Sequence, residues 1–174
     1  MQKLTATLCL TIVVFLGSAG VSDSADYQKG LAAFESEDYE TALKEFQPLA
    51  ENKGILSYLY SKKDIINAQY RLGFMYAYGK GVPKDYKIAV KWYRLAAEQE
   101  HASAQSNLGV MYSAGQGIIK DYVYAHMWGN IASSNGNKNG EKLRDIVTKE
   151  MNTSQIETAQ KLARECVRKK YKGC

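Results

Sequence analysis

Proline is almost missing from this chain, with two in 174 residues. Few positions therefore forbid a helical backbone. No stretch has the alternation of a strand, so the chain reads as mostly helical. Histidine is as scarce, again two residues. His101 falls in a turn between helices and His126 on an outer face, one position past Ala125. Neither has a sequence partner that suggests a proton relay, and both read as ordinary surface histidines. Cysteine numbers three. Two downstream thiols and two distant histidines do not make up a metal site, and no metal or other cofactor is expected. No apolar run approaches the roughly 20 residues that span a bilayer. The paired glycines 79 and 81 lack the third glycine and the preceding strand of a phosphate-binding loop.

What remains is ordinary in bulk. Hydrophobic residues at 45% and charged residues at 24% place the chain among globular proteins, with room for one domain. The net charge of +5 is concentrated: residues 1–137 hold 13 basic and 13 acidic side chains, and residues 138–174 hold 10 and 5. The excess lies wholly in the last segment. It reads as a solvated helix face, or as a surface for an anionic partner through Arg164, Arg168, Lys169, Lys170 and Lys172.

The first 25 residues have the layout of a secretory signal peptide. Lys3 supplies a positive charge, Leu8–Leu16 an apolar run, and Gly17-Ser18-Ala19-Gly20 the small residues of a cleavage site. Cleavage is expected between about residues 20 and 25, leaving a periplasmic or secreted protein without stable membrane insertion. Cys9 is lost with the signal. Cys166 and Cys174 then remain, an even number in a compartment that permits disulfides. A bridge between them closes a loop of about nine residues and stabilises by about 2.6 kcal/mol on chain-entropy grounds. The alternative is a free thiol activated by Arg168, Lys169 and Lys170.

The centre of the chain is written twice. Ala68-Gln69, Leu72-Gly73, Met75-Tyr76, Gly79, Gly81, Lys84-Asp85-Tyr86, Ala89, Trp92 and Ala96 all recur 36 residues later, without a gap. A fixed period of this size marks a stacked-repeat solenoid. Each module, 67–102 and 103–138, reads as two helices. Gly73 and Gly109 fall inside the first, where glycine costs up to ~1 kcal/mol relative to alanine; their recurrence suggests that a Cβ there meets a neighbouring helix. The 79/81 and 115/117 pairs turn the chain, and Asp85 and Asp121 start the second helix.

A partial module, 26–50, precedes these, with Asp38-Tyr39, Ala42, Phe46 and Leu49-Ala50 matching Asp85-Tyr86, Ala89, Tyr93 and Ala96-Ala97 at an offset of 47. The difference from 36 is an 11-residue insertion within segment 51–66, which contains Ile55–Tyr60. Beyond Ser134, Asn135–Gly140 reads as a loop, and Leu143, Ile146 and Val147 mark a further helix. Ser154-x-x-Glu157 reads as a capping box before a final helix with Ala159, Leu162, Ala163 and Val167. Segment 139–174 is thus a C-terminal cap. Asn152-Thr153-Ser154 also fits a glycosylation sequon.

The string Ala-Gln-x-x-Leu-Gly-x-Met-Tyr-x-x-Gly-x-Gly, then Lys-Asp-Tyr-x-x-Ala-x-x-Trp, resembles the Sel-one-like repeat, a helix–turn–helix relative of tetratricopeptide repeats. The resemblance covers about residues 26–169. It implies an all-α, α/α solenoid of antiparallel helix pairs with a C-terminal capping helix, and a scaffold role in protein–protein contacts rather than catalysis. Glu100 departs from it, standing where a helix-ending glycine is usual, so the turn before His101 is expected to differ. Cysteine-rich relatives are associated with β-lactam hydrolysis, but residues 67–134 contain no cysteine.

The modules differ most along one stripe. Tyr70, Phe74 and Tyr78 lie at i, i+4 and i+8 of a first helix, and their counterparts are Ser106, Val110 and Ala114. First helices line the concave groove of such superhelices, so these aromatics, with Arg71, Asn107 and Val110, are the candidate binding residues. The competing reading packs the stripe against the inserted Leu56, Tyr58 and Leu59. The expected partner is another protein or peptide, not nucleic acid. Self-association is open, because two full modules are near the minimum for a stable stack. A cell-wall-directed or β-lactam-interacting hydrolase is the alternative of a different class.

Overall fold

The computed structural model describes residues 26–51 and 60–174. The signal-like segment and the apolar core of the insertion, including Leu56, Tyr58 and Leu59, lie outside them. Among the described residues the structure is entirely helical: α1 (Tyr27–Glu35), α2 (Tyr39–Glu51), α3 (Lys62–Tyr78), α4 (Tyr86–Ala97), α5 (Ala102–Ala114), α6 (Tyr122–Ser134), α7 (Lys138–Thr148) and α8 (Thr153–Arg168). From α1 to α7 each helix packs on its sequence neighbours, α7 also reaches back to α5, and α8 lies on α6. The fold is an α/α solenoid.

Capping explains where the helices begin. Asp26, Asp85 and Asp121 each turn an extended backbone into a helix and accept first-turn N–H groups: Gln28 and Lys29, Ile88, and Val123 and Tyr124 respectively. Gly79 and Gly115 end α3 and α5 in the left-handed region, at φ 68° in both. Two residues on, the second glycine does something else. A Cβ on Gly81 would lie 2.4 Å from Cβ of Tyr39, and one on Gly117 2.2 Å from the carbonyl oxygen of Tyr86. Each of these glycines therefore seats a module on the first residue of the preceding module's second helix.

A buried polar ladder ties the same boundaries. Gln69 donates to the Ala50 carbonyl at 3.2 Å and accepts from Gln99 at 2.7 Å. Gln105 repeats this, donating to the Ala97 carbonyl at 3.1 Å and accepting from Asn135 at 2.9 Å. Both glutamines are buried, and the bonds that they donate to the Ala50 and Ala97 carbonyls are made where water cannot substitute. The seam between α2 and α3 thus has the same two fastenings as the seam between α4 and α5, although 11 extra residues precede it.

Helix α3 buries two faces. Ala68, Leu72 and Met75 join Phe46, Leu49 and Ala42 in one core, while Ala77, with Tyr70 and Phe74 packed alongside, joins the second core, built from α4 to α8. The in-helix glycines permit close approach: a Cβ on Gly73 would lie 2.6 Å from the Tyr93 ring, and one on Gly109 2.7 Å from Leu143. The spot that Tyr93 fills in the first module is therefore filled in the second by Leu143 of α7. At 129, the counterpart of Tyr93, the residue is glycine, and a Cβ there would meet the Gly140 carbonyl at 3.0 Å. Helix α7 enters the space that an aromatic ring occupies one module earlier.

Several expectations need correction. Glu100 does not alter its turn: it adopts φ 71° itself, as Gly136 does at φ 84° one period later. Asn137 caps α7, its side chain accepting from Gly140 N–H at 2.9 Å, so residues 138–140 are helix rather than loop. Of the three apolar residues that mark α7, Leu143 and Val147 are buried and Ile146 is 61% exposed. The capping box of α8 is Asn152 with Gln155, each side chain bonded to the other's backbone N–H at 2.9 Å, and not Ser154 with Glu157. His126 is not on an outer face, since α6 is wrapped by α7 and α8; it is buried with Nδ1 unpartnered. The cap itself carries the Cys166–Cys174 disulfide, Cα atoms 5.7 Å apart. The tail folds back so that Tyr171 N–H donates to the Cys166 carbonyl at 2.8 Å. No helix among the described residues is long and apolar enough to cross a membrane.

Candidate functional site

The aromatic stripe on α3 divides into packed and open portions. Tyr70 is half-buried, 5.9 Å from the Tyr93 ring centroid and stacked on His101 at 4.4 Å. Phe74 lies edge-on to Phe34 of α1 at 5.7 Å and against Tyr78 at 4.4 Å. Arg71 places its guanidinium over Phe34 at 4.8 Å, a cation–π contact back to the first helix. These three side chains are committed to packing within the molecule. Tyr78 is not: it is 62% exposed at the C-terminal end of α3.

Across from it, Val110 of α5 is 42% exposed. Between them lies a cleft of about 280 Å³, whose walls also include Asn107, Met111 and Gln116 from the α5 side and Lys84, Tyr86 and Tyr93 from the α4 side. Of the six residues expected to bind, the structure brings Tyr78, Asn107 and Val110 to one cleft; Tyr70, Arg71 and Phe74 are not in its lining, although Tyr70 packs on the lining residue Tyr93. The alternative packing of the stripe against Leu56, Tyr58 and Leu59 concerns residues outside those described.

Electrostatically the cleft is simple. Lys84 is the one charged residue in its lining, its ammonium 4.6 Å from the Tyr86 ring centroid. Lys120 repeats this pose on Tyr122 at 4.7 Å, so the contact belongs to the repeat and not to the cleft alone. Tyr93 is 1% exposed and its hydroxyl has no hydrogen-bond partner. Burial holds the Tyr93 phenol, and that of Tyr70, above the ordinary tyrosine range; the nearby Asn107 amide opposes this only weakly. An unsatisfied buried hydroxyl costs about 1–3 kcal/mol.

His101 helps to fix the site from outside. Its Nδ1 accepts the Ala104 N–H at 3.1 Å, making it the N-cap of α5, while its ring supports Tyr70. It is thus a structural histidine with one ring nitrogen committed as an acceptor, not a free surface group. Burial, with Arg71 adding to it, holds its pKa below the usual histidine value.

Tyr93, Lys84, Tyr86 and Gln116 were missed as site residues. One signal for Tyr93 was available, since its counterpart at position 129 is glycine and the modules differ there as sharply as at Tyr78. Lys84 and Tyr86 carried none: they recur as Lys120 and Tyr122, and shared positions read as architecture; Gln116 differs from its counterpart Lys80 but lies in a turn. Among the described residues no group of three or more histidine, cysteine or carboxylate side chains is placed to hold a metal ion.

Comparison with known proteins agrees with the architecture. The Sel1 repeat family model matches residues 66–101 and 102–137. Among solved structures, a protective antigen present in uropathogenic Escherichia coli strains and displaying an SLR fold is 28% identical, with a TM-score of 0.58, over 80% of this chain and 34% of that one. A Sel1 repeat protein from Oxalobacter formigenes is 29% identical, with a TM-score of 0.58, over 80% of this chain and 55% of that one. The chain therefore spans about a third and about half of the length of these two. No curated protein sequence matches it.

Proposed function

We propose that this chain, a carrier of two Sel1 repeats, is an exported helical scaffold that holds a protein or peptide partner in the cleft between α3 and α5. The observation that carries the reading is the pair of exposed apolar side chains, Tyr78 of α3 and Val110 of α5, lining one cleft together with the polar Lys84, Asn107 and Gln116. Aromatic anchors beside a desolvated polar floor are where binding energy concentrates at interfaces. Sel1 repeats are a helical scaffold of the kind used in protein–protein contacts, which is the general frame for this specific site. The chain is read as non-catalytic, and export rests on the layout of residues 1–25.

The test is a cross-linking pull-down from the native compartment with the protein beside a Tyr78→Ala/Val110→Ser double variant. Both side chains are exposed, so the variant is expected to keep its circular dichroism spectrum and melting temperature. Loss of the captured partner supports the cleft, and equal capture by both forms refutes it. Amino-terminal sequencing of the protein from each cell fraction tests export; an intact residue 1 in the cytoplasm would overturn that part.

A second surface has its own observation. Lys161, Arg164 and Arg168 line a shallow depression on the outer face of α8, with Glu165 the acid among them. Lys169, Lys170 and Lys172 continue the exposed basic surface. Binding of an anionic surface here predicts retention on heparin that collapses between low and moderate salt.

A further inference from the structure

We propose that the cleft beneath Tyr78 is built to receive the carboxylate of an aspartate or glutamate side chain from the bound segment. The inference rests on the peptide-binding reading above and names what the peptide must present.

Three observations converge. The cleft has a positive residue, Lys84, and no negative one in its lining, so an anionic guest meets attraction and no repulsion. Lys84 forms no ion pair within the described residues; its contact is with the face of Tyr86, which holds the ammonium at the mouth without neutralising it. Beneath the floor is the Tyr93 hydroxyl, buried and without a partner, beside the Asn107 amide. In a protein interior such a group is exceptional. A carboxylate oxygen, which only accepts hydrogen bonds, complements all three donors: the Lys84 ammonium, the Asn107 Nδ2–H and the Tyr93 O–H. The Tyr93 hydroxyl is buried, so a guest carboxylate that reaches it supplies the partner it lacks.

The geometry favours a side chain over a chain terminus. Tyr78 and Val110 are exposed on opposite walls. Apolar residues on both sides of the acidic one find contacts only if the chain continues past it in both directions. The second module offers no equivalent. Tyr78, Tyr93 and Asn107 are replaced at one period by Ala114, Gly129 and Leu143, and Leu143 is itself packed against Gly109. The chain therefore holds one such site among its described residues.

The test uses three synthetic probes added to the isotope-labelled protein and followed by nuclear magnetic resonance. One is acetyl-Ala-Leu-Glu-Leu-Ala-amide, the second replaces Glu by Gln, and the third is the Gln peptide with a free C-terminal carboxylate. The first is expected to shift the Asn107 side-chain amide and the backbone of α5, and to bind about tenfold more tightly than the second. Lys84→Met and Tyr93→Phe are expected each to reduce that preference while leaving the dispersion of the spectrum intact. Should Tyr93→Phe unsettle the fold, Lys84→Met alone decides, because Lys84 is exposed. Equal binding of the Glu and Gln peptides at Tyr78 and Val110 would overturn the carboxylate and leave the peptide groove standing. Binding of the third probe alone would assign the site to a chain terminus instead. No shift from the Glu peptide would overturn the proposal, while the pull-down judges the groove separately.

Discussion

Replacing Gly117 by alanine should unfasten the two repeats from each other, and the size of the effect can be worked out against a control in the same chain. Gly117 and Gly136 both hold left-handed backbone, φ 69° and 84°. Alanine at either position carries the left-handed cost of roughly 1–2 kcal/mol. At Gly136 that is all, because a Cβ there meets nothing within 4 Å. At Gly117 the Cβ would stand 2.2 Å from the Tyr86 carbonyl oxygen, 2.3 Å from its carbon and 2.7 Å from Lys87 N. These are backbone atoms at the start of α4 and no rotamer relieves them. A normal carbon–oxygen approach is about 3.3 Å, so the peptide must move by about 1 Å, and overpacking of this kind adds about 1–3 kcal/mol. Gly117→Ala should therefore cost roughly 2–5 kcal/mol, a large part of the roughly 5–15 kcal/mol that holds a domain folded. Urea unfolding followed by circular dichroism reads the difference. With a slope of about 1–3 kcal/mol per molar, the Gly117→Ala midpoint should fall below that of Gly136→Ala by about 1 M. Two variants within about 0.5 kcal/mol of each other would refute the idea that this glycine seats one module on the next.

Other outcomes follow from the same contacts. Burial lowers the pKa of His126 and of His101, with the charge of Arg144 adding to the first and that of Arg71 to the second. The unfolded chain thus takes up protons first, and stability should fall as pH drops below about 6.5, the ordinary histidine value. Urea midpoints at pH 7.5 and 5.5 check this, and a His126→Leu variant should show a shallower fall. Gln105→Leu strands the buried Ala97 carbonyl and removes the bond from the exposed Asn135 amide, and should cost about 1–3 kcal/mol in the same titration. Reducing the Cys166–Cys174 bond removes at most about 2.6 kcal/mol of chain-entropy stabilisation. The loss should be local, and amide exchange should quicken over the end of α8 and the residues after it while α3 and α4 stay unchanged.

The architecture was largely legible because it is periodic. A repeated glycine at 73 and 109 announced a close approach, and repeated aspartates at 85 and 121 announced helix starts; both are local requirements that any copy of the module must meet. The misreadings lie where tertiary packing decides. His126 looked outward because its module, taken alone, has an outer face there; α7 and α8, which carry no repeat signature, close over it. The start of α8 was misplaced because Asn152-x-x-Gln155 and Ser154-x-x-Glu157 both suit a capping box, and the chain uses the one that gives the longer helix. The aromatic stripe divided because Phe34 and His101, distant in sequence, take up Phe74 with Arg71, and Tyr70. Which aromatics are spent on packing depends on neighbours that spacing along one helix does not reveal. Tyr93 lines the cleft for the opposite reason: it looks like core in sequence, and its stranded hydroxyl, with glycine at its counterpart 129, marks it out.

The substitution of Leu143 for an aromatic ring bears on how such a chain changes in length. A helix that occupies the place of a module's own side chain closes the stack from inside rather than covering it from outside. Another copy of the 36-residue unit placed after Ser134 would need an aromatic at position 129, and α7 would have to withdraw from Gly109 and Gly140 from Gly129. Duplication at the far side of α2 or between α4 and α5 meets no such obstacle, since those seams already present the glutamine and glycine fastenings that a new copy would bring. Growth of this array is therefore directional: units are added upstream of α7, which is fixed to the last one.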